Sequence, residues 1–404
     1  MTSEIKARRS HLPDRPLWAR IKPAFRSENG SGGQPLRVTL ISKACVIGAY
    51  QTKLEELAAQ PDIELTVIVP PFWREHGRKI PLERAHTTGY RLVVAPAVFN
   101  GSFHTHFYPT LPSLLRRLRP EICHIDEEPY NLATYLALRA AQEVRAKTVL
   151  FTWQNLARPY PPPFRQFERY AYRHADAIIA GNRDAIAVLR AKGYQGPVRL
   201  IPQFGVDPEI FSPAGTPHGD PCVIGYAGRL VEQKGLLTLV EALAGLTGRW
   251  QLVLYGSGPL EEELRARFAV LGLAERVRFA GRVSSLEMPR HLAQMDVLVL
   301  PSLTRPNWKE QFGRVLVEAM ACGVPVIGSS SGEIPNVIGD AGLVFPEGDA
   351  AALRAALGRL LGDPSLRRTL GQRGRQRVLA HYTQAHIAAE TAALYRDVLR
   401  GALA

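Results

Sequence analysis

From "LRVTLIS" at residue 36 onward, short runs of Val, Ile and Leu alternate with segments of helical period, and this alternation restricts the fold more than any other feature of the chain. The runs "RVTLIS", "ELTVIVP", "RLVVAPAVF", "EICHID", "KTVLFTW" and "DAIIAG" are apolar throughout, so they predict strands covered on both faces. Between them, "QTKLEELAAQ", "LPSLLRRLRP", "NLATYLALRAAQEV", "FRQFERYAYRHA" and "NRDAIAVLRAKGY" carry apolar residues at helical spacing. Strand and helix in steady alternation predict a parallel sheet wrapped by helices.

The pattern halts at "VRLIPQFGVDPEIFSPAGTPHGDP", whose Pro and Gly content predicts an interdomain connection, and then restarts. A second set of strands is expected at "CVIGYAG", "WQLVLYG", "RVRFAG", "VLVLPS", "VPVIGSS" and "GLVFPEG", with helices at "LLTLVEALAGL", "PLEEELRARFAVLG", "MPRHLAQM" and "GRVLVEAMACG". The expected fold class is α/β, with two Rossmann-like, doubly wound domains over residues 36–204 and 205–383. Residues 1–35 end in "SENGSGGQP" and are expected to form a basic flexible arm. Open α/β sheets bind ligands at the carboxyl ends of their strands, so the cleft between the two domains is the expected site.

A formal net charge of +13 admits nucleic acid, an anionic membrane surface or anionic small molecules as partners. Nucleic acid is set aside, because the basic residues are scattered without interleaved aromatics and none of the common binding motifs occurs. Cys45, Cys123, Cys222 and Cys322 stand far apart without metal-ligand spacing, which excludes a zinc motif and a disulfide framework and suits a reducing cytosol. The basic N-terminus lacks the apolar core of a secretory signal, and no apolar run reaches the ~18 residues of a spanning helix. A cytoplasmic protein is expected, with the inner membrane face as a place of peripheral association.

Chemistry gathers at the carboxyl edge of the second set of strands. "YAGRLVEQKG" puts Arg229 and Lys234 directly after a strand, a bidentate fork and a point charge that together suit a diphosphate; alone, the loop reads equally as a solvated basic turn. "YGSGP" places Gly256, Ser257 and Gly258 where backbone N–H groups could approach a ligand, though a plain tight turn explains them as well. Glu310 lies in the loop "TRPNWKEQF", and the helix from Gly313 to Ala321 that follows points its N-terminus into the same cleft, with Glu318 in its second turn. Carboxylates beside a phosphate site are costly unless they accept hydrogen bonds from sugar hydroxyls. Cations for phosphates and acids for hydroxyls describe a nucleotide-sugar site.

With "FGVDPEIF", "GYAGRLVEQKG", "YGSGP" and the pair Glu310 and Glu318 in this order, residues 36–404 resemble glycosyltransferase family 4, the retaining GT-B enzymes. The resemblance implies that Arg229 and Lys234 grip the donor diphosphate, that Glu310 contacts the donor sugar, and that Glu318 holds the ribose hydroxyls. It places the backbone of Phe312, Gly313 and Arg314 at the phosphates, and Arg282 and Val283 beside the base. It implies catalysis by Arg229, Lys234 and Glu310 without metal or cofactor, the nucleoside-diphosphate sugar being a co-substrate and the acceptor a carbohydrate or lipid-linked glycan. A last helix over about 384–404 would cross back to complete the first domain. Departures cluster in the first domain. Only Gly48 stands where relatives have a Gly-rich donor loop; Gln154 or Asn155 stands near an expected His; and "HIDEEPY", with Asp126, Glu127 and Glu128, faces the acceptor side. Asn336 replaces a frequent Glu. A nucleotide-sugar epimerase of the same fold and a catalytically silent binding subunit are the rival readings.

Overall fold

A computed structural model describes residues 34–75, 77–213 and 220–402. The expected basic arm therefore falls almost wholly outside the described residues. The strands are β1 (Leu36–Ile41), β2 (Ile63–Val69), β3 (Phe72–Glu75), β4 (Arg78–Pro81), β5 (Arg91–Val94), β6 (Ile122–Ile125), β7 (Lys147–Thr152), β8 (Ala177–Ala180) and β9 (Val198–Leu200). There follow β10 (Cys222–Ala227), β11 (Trp250–Tyr255), β12 (Val277–Gly281), β13 (Val297–Leu300), β14 (Val326–Ser329) and β15 (Leu343–Phe345).

Two parallel sheets result, with strand orders β5-β2-β1-β6-β7-β8-β9 and β12-β11-β10-β13-β14-β15. In each, the chain starts at the centre, winds to one edge, and returns to wind to the other. The order therefore reverses between β1 and β6 and between β10 and β13, and loops diverging at such points open a crevice at the carboxyl edge. β1 shows why both faces must be covered. Leu36, Val38 and Leu40 enter a core shared with the C-terminal helix, whereas Ile41 enters the core on the opposite face, with Leu114, Leu115 and Leu138.

The C-terminal helix Gln384–Arg400 is capped by the Thr383 hydroxyl, which accepts from the His386 N–H. It packs on the first sheet through Ile387, Ala388, Leu394 and Tyr395. Arg396 clasps Asp62 with bonds of 2.7 and 2.6 Å, and the Tyr395 hydroxyl bonds the ring of His124 at 2.6 Å. The two passages of chain between the sheets run side by side: Val206 N–H donates to the Tyr382 carbonyl at 2.9 Å, and Gln384 N–H to the Val206 carbonyl at 3.1 Å.

Three details differ from the sequence reading. Val198–Leu200, taken as connection, is the edge strand β9. Its three residues are half-buried or exposed, too few and too wet to show a pattern. β3 and β4 form an antiparallel hairpin that carried no apolar signal. β5 stops at Val94, with Pro96 two residues on, where a ladder donor is missing.

Candidate active site

The loops after β10, β11 and β13 pack on one another with almost no room for side chains. A Cβ on Gly235, whose φ is +66°, would lie 1.8 Å from the Pro301 carbonyl oxygen, and one on Gly256 would lie 1.9 Å from that of Gly228. Gly258 meets the Leu230 carbonyl in the same way, and Leu303 N–H donates to the Gln233 carbonyl at 2.9 Å. The glycines of "YGSGP" thus have a packing reason, and the Gly256 N–H is already engaged with the Gly281 carbonyl at 2.7 Å.

This packing brings Lys234 to Glu310. Their side chains, 15% and 10% exposed, form an ion pair of 2.5 Å. The Ser302 hydroxyl donates to the same carboxylate oxygen at 2.9 Å, and the Lys234 ammonium lies 5.0 Å from the centre of the Trp308 ring. Arg229 is exposed on the neighbouring loop, and among the described residues no carboxylate pairs with it. Gly313, at φ +76°, starts the helix Arg314–Ala321. Within that helix Arg314 pairs with Glu318 at 2.8 Å, and burial raises the Glu318 carboxyl against the opposing pull of Arg314. Phe312 is buried between Trp153 and Tyr382, Arg282 donates to the Ser257 hydroxyl at 2.6 Å, and Val283 packs at the rim of the core.

The first half faces this site with a chain of satisfied polar groups. Asp126 accepts from the Ser42 hydroxyl at 2.6 Å and from Gln203 at 2.7 Å, and Gln203 in turn accepts from the Trp153 indole at 2.7 Å. Glu127 is buried against Lys43 and His106. Burial would raise its carboxyl, but these two partners outweigh it and hold it at about 2. Glu128 goes the other way: burial pushes it up to about 7, while Thr152 and the Trp153 N–H donate to its two oxygens at 2.6 and 2.8 Å. Asp126 and Glu127, expected on the acceptor side, are therefore committed to internal bonds. Likewise the Gly48 N–H, expected at the donor, is taken by the Glu83 carboxylate at 2.5 Å. Lys43, Gln203 and Ser302 had no signal in sequence beyond lying near strand ends, and His106, in the long loop after β5, had none.

Residues 153–158 and 182–184 of the first half hold the loop that carries Glu310. Asn155 donates to the Lys309 carbonyl at 3.2 Å, Gln311 to the Trp153 carbonyl at 3.1 Å, and Asn182 to the Gln311 carbonyl at 3.0 Å. Lys309 pairs with Asp184 at 2.7 Å, and Arg158 bonds the Asn307 carbonyl. Asn336 lies with Glu333 and Arg377 around a 240 Å³ cavity that Arg183 and Phe312 also line, and Glu333 accepts from the Arg183 N–H at 3.0 Å.

Two parallel-sheet halves of this kind are the GT-B architecture. The sucrose-phosphate synthase of Thermosynechococcus elongatus superposes on 91% of this chain and all of its own, with a TM-score of 0.68 at 25% identity. Residues 51–210 match the family model of glycosyltransferase family 4, and residues 208–377 that of glycosyl transferases group 1. A GDP-mannose-dependent alpha-(1-6)-phosphatidylinositol monomannoside mannosyltransferase of Mycolicibacterium smegmatis is 30% identical over 83% of this chain and 91% of its own length. The lipopolysaccharide core biosynthesis glycosyltransferase LpsE of Rhizobium meliloti is 31% identical over 53% of this chain and 62% of its own. The chain belongs to glycosyltransferase family 4.

Proposed function

We propose that this glycosyltransferase moves a sugar from a nucleoside-diphosphate donor to a carbohydrate or lipid-linked acceptor with retention of configuration, in glycolipid or polysaccharide synthesis. The observation that carries the reading is the contact of Lys234 with Glu310 at the carboxyl edge of β10 and β13, beside the start of the helix bearing Glu318. A cation and a carboxylate so placed can divide a nucleotide sugar between them, the cation at the diphosphate and the acid at the sugar hydroxyls. Arg229 and Lys234 would stabilise the leaving diphosphate, which can take the acceptor proton on the face it departs from. The relative that acts on a phosphatidylinositol mannoside supports a glycolipid acceptor and makes GDP-mannose the first donor to try.

Catalysis is expected to survive EDTA. The sequence holds no Asp-x-Asp pair, and two cations at the diphosphate supply the charge that a divalent ion would. A screen of UDP-, GDP- and ADP-sugars, read by thermal shift and donor hydrolysis with and without EDTA, tests both points. One donor class should stabilise the protein and be turned over; a chelated, inactive enzyme restored by Mn2+ would overturn metal independence.

The net charge of +13 also supports contact with the inner membrane face, each basic side chain near anionic lipid adding about 1 kcal/mol. Among the described residues no helix is long and apolar enough to cross a membrane. Flotation with vesicles of phosphatidylcholine and phosphatidylglycerol is expected to carry the full chain at low salt and release it at high salt; no binding at low salt would remove this part of the reading.

A further inference from the structure

Phe99 and Phe103 are 63% and 49% exposed, the two phenylalanines most open to water among the described residues. They share the loop that follows β5, and this loop is pinned at several points. Val98 and Phe107 exchange backbone bonds of 2.9 and 3.3 Å, the Ser102 N–H donates to the Phe99 carbonyl at 3.0 Å, and the Leu132 N–H donates to the His104 carbonyl at 2.9 Å. Phe99 itself sits at φ +51°, in the left-handed region that a bulky side chain enters only with strain. The Phe107 ring, 6.2 Å away, leaves most of it in water. Glycine or asparagine would suit such a turn better, so an aromatic ring held there calls for a reason outside the fold.

The hairpin of β3 and β4 stands against this loop. Asn100 accepts from the Arg74 N–H at 2.9 Å and donates to the Phe72 carbonyl at 2.7 Å, and Phe103 meets Trp73 at 5.7 Å between ring centres. The hairpin exposes Arg74, Arg78 and Lys79, with Glu75 as the one acid between them. Two of the cations lie near the Phe72 ring, Arg74 at 5.8 Å and Lys79 at 4.6 Å from its centre. Among the described residues none of the three takes part in an ion pair. Hairpin and loop follow β2 and β5, which run parallel to β1 and β6, so both lie at the carboxyl edge of the first sheet. The Lys43 ammonium, paired with Glu127, is 5.5 Å from the Phe103 ring, and through it the patch adjoins the first half's side of the cleft.

We infer that the hairpin and the loop after β5 form a membrane-docking surface, Phe99 and Phe103 entering the interfacial layer of a bilayer while Arg74, Arg78 and Lys79 meet the phosphates of anionic lipids. Exposed aromatic rings bordered by unpaired cations match such a surface twice over, with apolar area for the acyl boundary and positive charge for the headgroups. A loop already pinned in shape gives up little freedom on docking. Docked this way, the protein turns the carboxyl edge of its first sheet to the bilayer, and a lipid-linked acceptor reaches the cleft without leaving it. This rests on the proposed contact with an anionic membrane and assigns that contact to named residues.

The test is Phe99→Asn in the full chain. Asparagine tolerates left-handed backbone, so the melting temperature should equal or exceed that of the parent. In flotation at low salt with vesicles of phosphatidylcholine and phosphatidylglycerol, binding should fall about tenfold or more, as it does when apolar area no longer leaves water. Arg78→Glu combined with Lys79→Glu should weaken binding by about tenfold or more as well, and should flatten its dependence on salt. Donor hydrolysis without vesicles should stay at the parent rate in both. A parent that floats while either variant floats equally well would keep the membrane contact and overturn its placement here. A Phe99→Asn melting temperature lowered by several degrees would overturn it too, since the ring would then serve the fold. So would equal binding of the parent to vesicles of phosphatidylcholine alone, or a parent dimer that Phe99→Asn dissolves without vesicles, which would give the patch to a second copy of the chain. A parent that binds no vesicles at low salt would instead remove the membrane contact itself, and this surface with it.

Discussion

Replacing Lys234 with alanine is expected to slow single-turnover sugar transfer by about 100- to 1000-fold, the loss that follows removal of one preorganised electrostatic stabiliser. Negative charge builds on the departing diphosphate as the glycosidic bond breaks, and a fixed cation acts most strongly where charge develops. Nucleotide affinity should fall less, because the start of the helix at Gly313 and the exposed Arg229 remain. Lys234 also neutralises Glu310, whose side chain is 10% exposed, so part of the loss is in stability and circular dichroism must separate the two. Arg229→Ala avoids that complication. It is exposed and takes part in no ion pair among the described residues, so a merely solvated side chain would cost a few tenths of a kcal/mol at most. A folded variant of either kind that transfers sugar at near the parent rate would remove this cleft edge as the active site.

What could be read from the sequence was whatever is local. The all-apolar strands and helical periods fix two parallel sheets; Arg229 and Lys234 stand out because they closely follow the end of β10, and Glu310 and Glu318 because they are acids in the loop and helix that follow β13. The pairings were not legible, since they join distant parts of the chain. Lys234 meets Glu310 across 76 positions, and Lys43 meets Glu127 across 84. Glycines are ambiguous for a related reason. The spacing of Gly256 and Gly258 is equally that of a ligand loop and of a loop pressed on a second loop, and only the Gly228 and Leu230 carbonyls decide. Gly48 is similar: its N–H is taken by Glu83, 35 residues on, in a segment that shows no motif. His106 sits on a loop without periodicity, and nothing nearby announces that its ring faces Glu127.

Glu310 and Glu318 should separate by what each removal weakens. Glu318→Ala is expected to weaken binding of the bare nucleoside diphosphate by about 1.5 to 3 kcal/mol, roughly 10- to 150-fold, as loss of a charged hydrogen bond does. The structure explains why it is held ready. Glu318 lies on the helix Arg314–Ala321, mostly buried, and burial lifts its carboxyl while Arg314 at 2.8 Å keeps it from rising further. A ribose that donates two hydroxyls to it would stabilise the ionised form. Removing it also frees Arg314, which is a third exposed and lies 5.7 Å from the ring of Tyr50 in the first half, so the helix itself should persist. Glu310→Ala is expected to leave affinity for the bare nucleotide nearly unchanged and to lower turnover, because the proposed role sets it against the donor sugar and not the nucleotide. Calorimetry with the nucleotide the donor screen identifies, followed by single-turnover transfer, decides between the roles. Equal losses of affinity in the two variants would mean that both acids only support the loop and helix that carry them.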